Sequence, residues 1–144
     1  MIYLDTSCLL KLLLEESASE AVRQAVARES EVIISVLTEL EAMVQLRSGW
    51  LGGEYREGRY KAYLRQLRIF RATDPFQFRS LPSSLFQTAL RQDQQSGRAH
   101  CRTLDRLHLA AVEELGLRRL MTNDVAEAAG AKALGLEVVF PGRS

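Results

Sequence analysis

Between Arg102 and Asp124 the chain reads Arg-Thr-Leu-Asp-Arg-Leu-His-Leu-Ala-Ala-Val-Glu-Glu-Leu-Gly-Leu-Arg-Arg-Leu-Met-Thr-Asn-Asp. This is the pattern of a helix, a glycine turn, a short apolar strand and an acid where that strand ends. Two carboxylates, Asp105 and Asp124, flank an otherwise apolar segment, and burying such a group is costly unless something cationic pairs with it. The stretch constrains the fold twice: a helix must feed a buried strand, and the end of that strand must lie where positive charge can reach it.

The rest of the chain repeats the alternation. Met1-Ile2-Tyr3-Leu4 is a short apolar run, and Asp5-Thr6-Ser7 supplies a natural N-cap for a helix carrying Leu9, Leu10, Leu12, Leu13 and Leu14. Ser17 to Arg28 has helical spacing, Val32-Ile33-Ile34 is a β-branched strand, and Leu37 to Arg47 is a helix apolar over most of its circumference, as expected of one packed on several sides, by the sheet and by a partner. Ser48-Gly49-Trp50-Leu51-Gly52-Gly53 breaks the pattern and is read as a connection between helices. It has no GxxxxGK[ST] phosphate loop. Glu54 to Thr73 forms a helix with the stripe Tyr60, Tyr63, Leu64, Leu67 and Phe70, whose regular spacing marks core or interface in preference to a base-stacking platform. Phe76-Gln77-Phe78 begins a weak strand, Ser83 or Ser84 caps a helix reaching Gln95, Val125 to Leu134 is an Ala-rich helix, and Glu137 to Phe140 is a last strand. Strands alternating with helices in this way imply a parallel sheet covered on both faces, without repeat, linker or second domain. Ligands of such folds gather at the carboxyl ends of the strands, which is where Asp5 and Asp124 fall.

Composition excludes several classes. No apolar run approaches the ~20 residues of a membrane span, and Met-Ile-Tyr-Leu-Asp lacks the basic start of a signal peptide, so a cytoplasmic protein is expected. Cys8 and Cys101 lack CxxC spacing and are expected as reduced, buried thiols. The formal net charge is only +1, yet residues 47 to 106 carry twelve basic against five acidic side chains, so the middle of the chain is locally basic. No HExxH motif supports zinc, and no GxSxG elbow presents a serine nucleophile. His108, one turn from Asp105, has it as a candidate partner, but is read instead as a satisfied, partly buried histidine.

Four acids remain: Asp5 after the first strand, Glu39 or Glu41 after the second, Asp105 before the fourth and Asp124 after it. Each has an ordinary structural role available, since Asp5, Asp105 and Asp124 all stand at helix starts, where an acid caps or complements the dipole. Capping does not, however, require all of them to share one sheet edge. If strands one, two and four are neighbours they converge, and crowded carboxylates of this kind call for a hard divalent cation such as Mg²⁺ or Mn²⁺. Periodicity does not choose between Glu39 and Glu41.

With these residues in place, the chain resembles PIN-domain proteins, most closely the VapC-type ribonuclease toxins of bacterial and archaeal toxin–antitoxin pairs. The resemblance rests on Ile2-Tyr3-Leu4-Asp5-Thr6-Ser7, Ser35-Val36-Leu37-Thr38-Glu39-Leu40-Glu41, Arg102 to Ala110, Thr122-Asn123-Asp124 and the Gly135 to Gly142 ending, in that order along nearly the whole chain. It implies a PIN-like three-layer α/β/α fold with a central parallel sheet of four to five strands, as a single PIN domain over residues 1–144. It also implies metal-dependent hydrolysis of RNA, with Asp5, Glu41, Asp105 and Asp124 holding one or two Mg²⁺ or Mn²⁺ ions. Glu41 is preferred over Glu39 because the family's second acid lies six residues past a serine, here Ser35. Thr6, Ser7, Thr122 and Asn123 would be supporting polar groups, Ser7 and Thr122 foremost. The family acts as a dimer with an antitoxin covering the site, for which helix 37–47 and the stripe 60–70 are the expected surfaces. Arg106 departs from the family, whose members commonly have a small residue there. Arg106, Lys61, Arg65 and Arg68 are the candidate RNA contacts. The competing reading is a non-catalytic RNA- or protein-binding module on the same fold. A phosphohydrolase of the haloacid dehalogenase type would need a second Asp where Ser7 stands.

Overall fold

Five apolar runs of three or four residues, too short to be stable singly, lie side by side as a parallel sheet in the order β3-β2-β1-β4-β5. The structure is a computed structural model that describes residues 1–143. The strands are β1 (Ile2–Leu4), β2 (Val32–Ser35), β3 (Phe76–Arg79), β4 (Arg119–Met121) and β5 (Glu137–Val139). Between them run α1 (Thr6–Leu13), α2 (Ser19–Ala27), α3 (Val36–Leu51), α4 (Glu57–Arg71), α5 (Leu85–Gln95), α6 (Thr103–Glu114) and α7 (Val125–Ala133). This is the expected three-layer α/β/α arrangement, with all five strands parallel.

Period-two alternation along the strands divides the interior into two cores. Ile2, Leu4, Val32 and Ile34 face α1, α2, α3 and α4, where they meet Leu9, Val22, Ala42, Leu46 and Leu67. Tyr3, Ile33 and Leu120 face the opposite layer and meet Leu85, Leu109, Ala111, Val112 and Ala131 from α5, α6 and α7. Cys8 is buried in the first core and Cys101 in the second, both as free thiols. Among the described residues no helix is long and apolar enough to cross a membrane.

The chain adds β2 and β3 on one side of β1 and then β4 and β5 on the other. The order therefore reverses between β1 and β4, and such a switch point opens a crevice at the strands' carboxyl ends. The Leu4 to Met121 register, continued by the Asp5 N–H donating to the Met121 carbonyl at 3.1 Å, brings the residues after both strands level with each other.

One helix differs in extent from the sequence reading. The helix expected to end at Arg47 runs on to Leu51, because the buried Gly49 leaves room for Tyr55. The Tyr55 hydroxyl donates to the Leu46 carbonyl at 2.6 Å, and Trp50 stacks on Tyr60 at 4.8 Å. The break comes instead at Gly52 and Gly53, the latter at φ 81°. On helix α3, Thr38, Ala42, Leu46 and Gly49 are buried against the protein, whereas Val36, Leu40, Met43 and Val44 form an exposed apolar face. The stripe Tyr60 to Phe70 does pack inward, with Leu67 buried and Tyr60, Tyr63, Leu64 and Phe70 lying half-buried against the first core.

Helix α7 sits close to α6 because Gly130 has no side chain. A Cβ there would stand 2.5 Å from Cys101 Sγ and 3.0 Å from Leu109 Cδ1. Gly130→Ala is expected to lower stability by about 1–2 kcal/mol in urea denaturation, overpacking outweighing the helix propensity gained. Gly58→Ala, in α4 with open space around it, is expected to be neutral or stabilising in the same measurement.

Candidate active site

The crevice at the switch point is an open cleft of about 1000 Å³, lined by Asp5, Glu41, Asp105, Asp124 and Glu127 together with Ser7, Lys11, Arg102 and His108. The acids come from four separate elements, each placing its carboxylate in a different way.

Asp5 follows β1 and caps α1: Oδ1 accepts from the Cys8 N–H at 3.0 Å and from Ser7 Oγ at 2.7 Å, while Oδ2 accepts from Thr122 Oγ1. Only 1% exposed, it is held from both sides of the β1–β4 seam. Asp124 caps α7 with Oδ1, which accepts from the Glu127 N–H at 3.0 Å. Its second oxygen, Oδ2, lies 4.0 Å from the Arg102 guanidinium. Capping thus occupies one oxygen of Asp124 and leaves the other to the cleft. Asp105, in the first turn of α6, makes no capping bond; its buried Oδ2 has no hydrogen-bond partner and lies 3.8 Å from Arg102 Nε. Burial, and then the charge of Asp124, pushes the Asp105 carboxyl above its ordinary pKa, with Arg102 opposing.

Glu41 and Glu39 separate cleanly. Glu39 pairs with Arg71 at the end of α4, away from the cleft. Glu41 reaches the cleft, where Oε1 accepts from Thr6 Oγ1 at 2.9 Å and meets His108 Nε2. Burial by itself would raise the Glu41 pKa, but the His108 and Thr6 interactions outweigh it and hold the carboxyl below the usual value. His108 therefore serves Glu41 and not Asp105, its candidate partner in the sequence. Since a carboxylate only accepts, Nε2 carries the proton toward Glu41. The other ring nitrogen, Nδ1, lies 2.7 Å from the Tyr3 hydroxyl, which is also 2.7 Å from Ser35 Oγ. The buried line Ser35, Tyr3, His108, Glu41 ties β2, β1, α6 and α3 together.

The four small polar residues singled out in the sequence lie around these acids: Thr6 on Glu41, Ser7 and Thr122 on Asp5, and Asn123 with its N–H donating to Ser7 Oγ at 2.9 Å. The basic residues are placed differently from expectation. Arg106 neither meets the cleft nor faces solvent; it is 5% exposed, donating to Gln92 Oε1 at 3.3 Å and toward Cys101 Sγ at 3.6 Å. Lys61, Arg65 and Arg68 sit on the exposed side of α4, outside the cleft lining, Lys61 pairing with Glu57 at 3.3 Å. The cations that do line the cleft are Lys11 and Arg102, while Arg56 and Arg59 line an adjoining depression with Glu54, Tyr55 and Tyr63.

Sequence reasoning missed Glu127. Its carboxyl is 2% exposed, lies against that of Asp5, and is pushed up to about 11 by burial and by Asp5, Asp105 and Asp124. The signal that points to it is the Asp124-x-x-Glu127 spacing, which reads most simply as a capping box.

Among the described residues no three His, Cys, Asp or Glu side chains already stand close enough to hold an ion. The donor set nonetheless fits a hard divalent cation: every group facing Asp5 from the acid cluster is a carboxylate, and Asp105 Oδ2 and Glu127 Oε1 are buried without a partner. Asp5, Glu41, Asp105 and Asp124 could hold such an ion, Glu41 from its hydrogen bonds with Thr6 and His108. No serine or cysteine nucleophile accompanies them, Ser7 donating to Asp5 and both thiols being buried.

The PIN domain family matches residues 2–132. The chain is 31% identical over 142 residues to the ribonuclease VapC46 of Mycobacterium tuberculosis, covering 97% of each. Its fold is similar to that of Mycobacterium tuberculosis VapC20, described as a sarcin-ricin loop cleaving toxin (TM-score 0.72, 15% identity, 98% of this chain and 100% of that one). It is also similar to FitAcB of Neisseria gonorrhoeae (0.73, 14%, 100% of both) and to a toxin–antitoxin complex of Klebsiella pneumoniae (0.66, 21%, 100% of both).

Tyr3→Phe removes the hydroxyl that joins His108 to Ser35. It is expected to lower stability by about 1–3 kcal/mol in urea denaturation, the larger share coming from polar groups left buried without partners.

Proposed function

The chain belongs to the PIN-domain family, and from that premise we propose that it is a metal-dependent endoribonuclease, the toxin of a toxin–antitoxin pair, hydrolysing RNA phosphodiester bonds with activated water. The observation that carries this reading is the gathering of Asp5, Asp105 and Asp124 at the switch point, with Asp105 Oδ2 buried and without a hydrogen-bond partner. The similarity to a VapC ribonuclease over nearly the whole chain supports it.

Mg²⁺ or Mn²⁺, as one or two ions, would supply the chemistry of lowering the pKa of bound water and neutralising charge on the phosphate. The protein's own groups do the rest. Asp5, pinned by Ser7, Thr122 and the Cys8 N–H, presents a fixed negative charge at the end of β1. Asp105 and Asp124 present theirs from α6 and α7. Thr6 and His108 orient Glu41, and the Tyr3 and Ser35 hydroxyls hold His108 in turn. Arg102, exposed and within 4.0 Å of both Asp105 and Asp124, is placed to move onto an RNA phosphate once the acids have another cation. Lys11, Arg56 and Arg59 extend the phosphate-binding surface, with Lys61, Arg65 and Arg68 as outlying contacts.

The reading carries partners with it. The exposed face Val36, Leu40, Met43 and Val44 of α3, and Phe86 with Leu90 on α5, are the surfaces for a second copy and for a cognate antitoxin. We place the protein in the cytoplasm, as a single PIN domain over residues 1–144.

Purified full-length protein, freed of antitoxin, is expected to cleave RNA in Mg²⁺ or Mn²⁺ and to stop on addition of EDTA. Asp5→Asn is expected to cost on the order of 10²-fold or more in cleavage rate. Cleavage that survives both treatments would overturn the reading.

A further inference from the structure

Asp124 and Glu127 occupy the N-cap and N3 positions of α7, the spacing at which an N3 carboxylate ordinarily turns back to the N-cap backbone N–H. Only half of that arrangement forms. The Glu127 N–H donates to Asp124 Oδ1 at 3.0 Å, but the Asp124 N–H is already taken by Thr122 Oγ1 at 2.9 Å. The carboxylate of Glu127 has no capping bond to make and turns into the cleft instead. There it is 98% buried, its Oε1 has no hydrogen-bond partner, and its neighbours are the carboxyls of Asp5, Asp105 and Asp124.

A buried carboxylate kept for structure is surrounded by donors, as Asp5 is by Ser7, Thr122 and the Cys8 N–H. Glu127 is surrounded by acids. We propose that Glu127 is a fifth carboxylate of the metal centre, giving an oxygen ligand to the divalent cation held among Asp5, Glu41, Asp105 and Asp124. This rests on the metal-dependent reading above and adds to it a ligand from the first turn of α7. Helix α7 then engages the ion at two successive levels, Asp124 at its cap and Glu127 one turn in. The geometry explains the neighbouring polar residue as well: Thr122, by bonding both Asp5 and the Asp124 N–H, is what releases Glu127 from the cap.

The test is Mn²⁺ binding by the full-length, antitoxin-free protein, followed by calorimetry and by the Mn²⁺-induced rise in melting temperature, with no need of RNA cleavage. Glu127→Gln keeps the shape and removes the carboxyl. It is expected to weaken Mn²⁺ binding by about 10-fold or more and to shrink the metal-induced rise. In EDTA its melting temperature is expected to equal or exceed that of the wild type, since an amide in that place adds no charge to the acids around it. Glu127→Asp, one methylene shorter, is expected to recover part of the affinity. Glu39→Gln, outside the cleft, serves as the control and is expected to bind as the wild type does. Wild-type affinity in Glu127→Gln overturns the proposal, and so does a loss of affinity matched by a lower melting temperature in EDTA, which would mark a structural carboxyl. If the wild type binds no Mn²⁺, the metal-dependent reading falls along with the proposal. If Asp5→Asn weakens binding and Glu127→Gln does not, only the role of Glu127 falls.

Discussion

The pairing of β1 with β4 is the constraint on which the site depends. Met121 lies beside Leu4, so the backbone leaves both strands at the same height, and the Asp5 N–H completes the ladder on the Met121 carbonyl. From there each strand feeds a helix whose N-cap is an acid, Asp5 for α1 and Asp124 for α7. Two helix N-termini aimed at one crevice give a local field that favours negative charge, which offsets part of the cost of gathering carboxylates there. A shift of one residue in this pairing would turn the strand's side chains to the other face and separate Asp5 from Thr122.

The site is built in two halves that handle charge differently. On the Glu41 side every polar group is answered: Thr6 and His108 satisfy the carboxylate, and Tyr3 and Ser35 satisfy the histidine. That half is a rigid strut across the sheet, and its stability is available without any ligand. On the Asp5 side the acids outnumber their donors, and Asp105 and Glu127 keep buried oxygens with nothing to accept from. Burial and the neighbouring acids press against ionisation of Asp105 and Glu127, a crowding that a divalent cation would relieve on the proposed reading. Stability is thus held in one half and given up in the other, as happens at functional sites.

Much of this was legible in the sequence because strand-end acids and apolar runs are local signals. The alternation of short strands and helices, the parallel sheet, and the positions of Asp5, Asp105 and Asp124 all follow from the chain read in order. Periodicity did not separate Glu39 from Glu41, and only the family resemblance preferred Glu41, because both lie among apolar neighbours two residues apart and it is the approach of α4 and α6 that tells them apart: Arg71 takes Glu39 and His108 takes Glu41. Arg106 was misplaced because an arginine next to an acid at a helix start reads as a surface residue. Its burial depends on Gln92 and Cys101, which reach it from α5 and from the loop before α6. The continuation of α3 through Ser48 and Gly49 was hidden for a similar reason, since a helical glycine reads as a break until the ring that needs its space, Tyr55, is known.

Glu127 marks the boundary most clearly. By sequence it is the third residue of a helix behind an Asp cap, and the local rule gives it a local duty. That duty is cancelled by Thr122, whose hydroxyl spans from the Asp124 N–H to Asp5 across the seam between β1 and β4. The amino-acid order by itself determined which elements form and that their acids end at one edge of the sheet, because secondary-structure period and strand-end position are properties of short segments. Which carboxylate is answered and which is left bare was decided only by the tertiary structure, because hydrogen-bond donors from distant elements are shared out only when the sheet closes.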